Sequence, residues 1–98
     1  MNRIVYVNGA YMPEQAATVS IFDRGFLMAD GVYEVTSVLQ GKLIDFEGHA
    51  QRLKRSLDAL DMAMPMPIDE LLCVHREFVA RNGIEEVMIF LQVTRGSA

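Results

Sequence analysis

The chain has 98 residues, 51% of them apolar and 22% charged, which suits one small globular domain with a thin core. A net charge of −4 with no basic run excludes broad binding to a nucleic-acid backbone, and no apolar run approaches the ~20 residues of a membrane-spanning helix. The opening MNRIVYVNG turns before any secretory-type apolar stretch develops, and the lone Cys73 cannot form an internal disulfide, so a reducing cytoplasm is the expected setting.

In RIVYVNGAYMP, Asn8-Gly9 separates two apolar stretches and favours a two-residue hairpin, because both positions accept positive φ. Strands are expected over 3–7 and 10–12, with Pro13 ending the second. VYEVTSVLQGKLIDF repeats the pattern around Gln40-Gly41. One side of this strand carries Tyr33, Val35, Ser37 and Leu39, and the other carries Val32, Glu34, Thr36 and Val38. Each side mixes apolar with polar groups, which points to one packed face and one face lining a cleft. Phe46, Ala50, Leu53, Leu57 and Leu60 then step by four, three, four and three, a single helical stripe. Met62 to Pro67 makes a break. A second helix follows with Ile68, Leu71, Leu72, His75, Phe78 and Val79 on one face, acids Asp69 and Glu70 in its first turn, and Asn82-Gly83 as its stop. In EEVMIFLQVT, the five apolar residues from Val87 to Leu91 predict a last strand buried on both faces. Two hairpins, two helices and a strand make an α+β domain, a mostly antiparallel sheet with two helices packed on one face.

Few residues offer chemistry. His49, Cys73 and His75 do not form a zinc-ligand spacing, so no metal site is expected. His49 reads as a helix-start histidine making one hydrogen bond, and His75, on the apolar stripe, as a satisfied core residue. No glycine-rich phosphate loop or nucleophile elbow is present. Asp23, Asp30 and Glu34 surround FDRGFLMADGVYEV, either as the rim of a pocket or as two turns with Arg24 paired to an acid. Arg52 raises a sharper question. It lies one step from the stripe carrying Leu53, and a guanidinium so near the buried side needs either an anionic ligand or a paired acid.

Taken together, VNGAY, SIFDRGFLMADGVYEV, GKLIDFEGHAQRLKRSL, HREFVARN and LQVTRG resemble, in order and at the expected spacing, the opening segment of class IV (fold-type IV) aminotransferases. The resemblance is greatest to the D-amino-acid transaminases and smaller to branched-chain aminotransferases and aminodeoxychorismate lyase. It covers essentially all 98 residues. It implies a two-domain, usually homodimeric enzyme that uses pyridoxal 5'-phosphate to move an amino group from a D-amino acid to a 2-oxo acid. By position in GHAQRL, Arg52 would bind the cofactor phosphate. By position in DGVYEV, Tyr33 would face the substrate carboxylate and Val35 would line the pocket. Ser37 stands where the best-known relatives carry lysine, which leaves the preferred substrate side chain open.

The same resemblance implies a lysine that forms a Schiff base with the cofactor. Lys42 and Lys54 are the chain's two lysines, and neither matches that position, which lies well downstream of VTRG in such enzymes. Residues 1–98 are therefore expected to be the small N-terminal domain, with the catalytic-lysine domain absent and the isolated chain inactive. A non-catalytic binding or assembly module is the competing reading. Branched-chain L-amino acids or aminodeoxychorismate are the alternative substrates.

Overall fold

The computed structural model describes residues 3–98; Met1 and Asn2, which open the segment read against an export signal, lie outside it. Strands β1 (Ile4–Val7) and β2 (Ala10–Pro13) form an antiparallel ribbon around Asn8-Gly9, both at positive φ. A single 3-10 turn, Glu14–Ala16, follows. The ribbon is a separate two-stranded sheet held against the second long helix. Asn82 of that helix binds both backbone groups of Ile4, donating to its carbonyl at 2.9 Å and accepting from its N–H at 2.8 Å. Arg81 stacks its guanidinium over the Tyr11 ring at 4.3 Å.

The main sheet has the order β4-β3-β5 and is antiparallel throughout, with β3 spanning Gly31–Leu39, β4 Lys42–Leu43 and β5 Val87–Thr94. Helices α2 (Phe46–Ala59) and α3 (Ile68–Asn82) supply the layer on one face. Phe46, Ala50, Leu53 and Leu57 from α2 and Leu71 from α3 are the buried centre, with Leu91 and Val93 of the sheet packed against them. The expected α+β architecture is thus the observed one, with the first hairpin detached from the main sheet.

Three expectations change. Leu60 caps α2 and is partly exposed, so the buried stripe ends at Leu57. The segment read as two turns contains a short helix, α1 (Arg24–Met28), whose N-terminus is capped by Asp23 accepting from Gly25 N–H at 2.8 Å. The third change concerns β5. Of Val87 to Leu91 only Ile89 is buried; Val87, Met88 and Phe90 are exposed. The long helices cover one side of this strand; on the other, α1 lies against Thr94 at its end, and Met88 and Phe90 are left exposed. A run of apolar residues therefore marks a strand with two apolar faces, not two covered faces.

Candidate functional site

Alternation along β3 sorts its side chains. Val32, Glu34, Thr36 and Val38 turn toward the helices, and the last three are buried. Tyr33, Ser37 and Leu39 face the open side and are exposed, with Val35 half-buried beside them. Across the strand pair, Tyr33 meets Gln92, Val35 meets Phe90 and Ser37 meets Met88. The Tyr33 and Phe90 rings stack, with centroids 5.4 Å apart and planes 13° from parallel.

A carboxylate on the helix side needs partners, and α2 provides two at positions three apart, one above the other on the same helix face. Arg52 donates from Nε to Glu34 Oε2 and from Nη2 to Oε1, both at 2.8 Å. His49 Nδ1 lies 2.8 Å from Oε1. An ionised carboxylate only accepts, so Nδ1 carries the proton. Glu34 is 4% exposed, yet the Arg52 hydrogen bonds outweigh burial and, with the one from His49, hold its carboxyl below the usual range.

Arg52 itself is 60% exposed. Glu34 occupies the Nε/Nη2 edge of the fork and leaves Nη1 and the remaining Nη2 hydrogen, the second bidentate edge, open to an anion. The guanidinium is held above its ordinary pKa, first by hydrogen bonding to Glu34 and then by its charge. Arg52 reaches Glu34 from the helix side of β3, whereas the Tyr33 phenol stands on the open face. Strand β4 pairs only with Val38 and Leu39. The first part of β3 therefore has a free edge on the side away from β5, among the described residues.

Nearby segments brace the end of the sheet where Gly31 meets Thr94. Asp23 Oδ2 accepts from Thr94 Oγ1 at 3.2 Å, and Ser97 bridges back to Asp23. Arg95 donates to Asp30 Oδ2 and to the Leu60 carbonyl, both at 2.8 Å. Asp30 is thus paired with Arg95, not with Arg24. Gly31 is required here, since a Cβ would sit 2.6 Å from the Val93 carbonyl oxygen. His75 is buried, and its Nδ1 donates to the Leu71 carbonyl at 2.9 Å, as a satisfied core histidine should. Lys42 and Lys54 are exposed, with Lys54 paired to Asp58. No cluster of potential metal ligands occurs among the described residues.

Sequence reasoning singled out Arg52, Tyr33 and Val35; Tyr33 and Val35 share the open face of β3, and Arg52 binds Glu34 from the helix side. It passed over the partnership of Glu34 with His49 and Arg52. The signal available was a lone acid in the inward set of β3 and two cationic-type side chains at i and i+3 beside an apolar helix stripe. Phe90 was passed over too, because its run was read as core.

Residues 31–98 match the family model of class IV aminotransferases. D-alanine aminotransferase of Listeria monocytogenes serotype 4b (strain F2365) is 39% identical over 92 residues, covering 94% of this chain and 32% of that protein. D-alanine aminotransferase of Staphylococcus aureus (strain MSSA476) is 35% identical over 94 residues, covering 96% and 33%. Among solved structures, the Escherichia coli branched-chain amino acid aminotransferase superimposes with a TM-score of 0.90 at 19% identity, over 98% of this chain and 33% of that one. The branched-chain aminotransferase of Thermoproteus uzoniensis with norvaline gives a TM-score of 0.79 at 23% identity, over 94% and 32%. These two likenesses speak to fold alone. The chain belongs to the class IV aminotransferase family. It spans about a third of the length of the curated relatives it matches.

Proposed function

We propose that this chain is the small N-terminal domain of a pyridoxal-phosphate enzyme that transfers an amino group from a D-amino acid to a 2-oxo acid. The observation that carries the reading is the free edge of the Arg52 fork, fixed by buried Glu34 in a chain of this family. A planar two-donor edge fixed by a buried acid suits a phosphate dianion. When bound, the cofactor supplies the carbonyl that accepts an amine and the ring that stabilises the charge left on the substrate carbon. The residues of this chain bind and orient. Arg52 grips the phosphate, Glu34 and His49 keep the guanidinium from turning away, Tyr33 donates toward the substrate carboxylate, and Val35 lines the pocket. The lysine that would join the cofactor belongs to the part of such enzymes that this chain does not span, as does the rest of the pocket wall. The reading includes a homodimer.

The preference for D-amino acids rests on the named activity of relatives at 35–39% identity, against 19–23% for the branched-chain structures. The branched-chain reading keeps the fold's support. Assaying the complete protein with D-alanine and with L-leucine separates the two, and faster transfer from L-leucine overturns the D-specific reading. A second measurement addresses the site. Arg52→Gln in the complete protein is expected to weaken pyridoxal-phosphate affinity at least about tenfold, the loss of roughly one charge-assisted hydrogen bond. Unchanged affinity with unchanged folding removes Arg52 from the site. For the 98-residue chain alone, borohydride treatment with pyridoxal phosphate is expected to trap no single-site adduct at Lys42 or Lys54 and to show no turnover. A trapped adduct accompanied by turnover overturns the domain assignment.

A further inference from the structure

The open face of the β3–β5 pair has a chemical character that the family assignment does not fix. Tyr33, Val35, Ser37, Met88, Phe90 and Gln92 share it, and none of the six is charged. Phe90 and Met88, on the outer strand β5, are 62% and 68% exposed, a contiguous exposed apolar surface. Phe90 is the cross-strand partner of Val35 and also stacks on Tyr33, so it touches both residues assigned to the substrate side. Lys42, opposite Leu39, is the cation that the three strands place on this face. That is four positions beyond Val35, about 13 Å along the strand. Arg52 is committed to Glu34 on one edge and, in the proposed reading, to phosphate on the other.

We propose that this face selects amino donors with uncharged, apolar side chains, and that Phe90 is its specificity-determining residue. The proposal rests on the assignment of Tyr33 and Val35 to the substrate side. An apolar side chain laid on this wall exchanges water for an aromatic ring, a valine and a thioether. A carboxylate side chain would give up water and meet no cation among these six residues, a loss they do not compensate. Ser37 is a position on β3 where a longer cationic side chain would change that balance, since it sits two residues beyond Val35 and points the same way.

The test uses the complete protein loaded with pyridoxal phosphate and compares kcat/KM for D-norvaline and D-glutamate, two unbranched donors that differ in charge. The wild type is expected to favour D-norvaline by at least about tenfold, the scale of one lost favourable side-chain contact. Phe90→Ala is expected to lower D-norvaline transfer by about tenfold with a smaller loss for D-glutamate, collapsing the ratio. Ser37→Lys is expected to shift the ratio toward D-glutamate. Equal use of the two donors by the wild type overturns the proposal, and so does an equal loss for both donors in Phe90→Ala, which a merely structural ring would give. Running L-norvaline and L-glutamate in parallel separates this from the D-specific reading. If only L-donors react and their ratio follows the same pattern, the wall proposal stands and the D assignment falls. If neither series reacts, both fall.

Discussion

At the scale of single residues, the site is organised by Glu34. Its carboxylate is almost fully buried, and two of its three charge-assisted bonds come from Arg52. Truncating the arginine leaves the acid with His49 alone. Arg52→Ala is therefore expected to lower the urea midpoint of the chain more than Lys54→Ala, whose i,i+4 pair with Asp58 is solvent-exposed. Adding Glu34→Gln to Arg52→Ala should recover part of the loss, because the orphaned charge is gone. Additive losses in the double variant would show that the two side chains do not act as a pair. Arg52 was legible as a problem because it lies one position from the buried stripe. Its solution was not, because the acid is 18 residues earlier on a strand and only the packing of α2 on β3 brings it there.

At the scale of elements, periodicity carried most of the information. The stripe of α2 as far as Leu57 and the face of α3 fall where the steps of three and four put them, and the cap at Gly83 agrees with the expected stop. Leu53 is fully buried at the centre of that stripe, and Leu53→Ala is expected to cost about 2–5 kcal/mol in urea unfolding. Leu60→Ala, at the partly exposed cap, is expected to cost less than about 1 kcal/mol. Similar costs for the two would mean that the stripe continues to Leu60 after all. The short α1 escaped notice for a physical reason. It is five residues long and contains a glycine, so its existence depends on Asp23 capping and on Thr94 packing beside Gly25, neither of which has a local period. Burial of β5 could not be read from its composition either, because composition reports the affinity of a face for cover and not what supplies it.

At the scale of the whole molecule, acid should be the effective denaturant. Burial holds the His75 imidazole below its ordinary pKa, and Arg52 holds Glu34 below the usual carboxylate range. Above about pH 6.5 the histidine is neutral folded or unfolded. As the pH falls through that value, the unfolded chain takes up a proton that the folded chain refuses, and stability drops. Glu34 repeats the effect below about pH 4.3, where the unfolded carboxylate protonates first. The urea midpoint is expected to fall in two stages, each contributing at most about 1.4 kcal/mol per pH unit. His75→Gln should flatten the upper stage and leave the lower one. A midpoint that does not move between about pH 7 and about pH 5 in the parent chain would contradict this account.

Strand β3 sends odd-numbered side chains one way and even-numbered ones the other, and both sets have work to do. One amino acid inserted just ahead of Tyr33 would invert the strand between its ends. The phenol would be driven among the leucines of α2, and the acid that steadies the guanidinium would be stranded in water. The two-residue loop at Asn8-Gly9 answers to no such parity at the candidate site. Length changes should therefore be far better tolerated there than anywhere between Gly31 and Leu39.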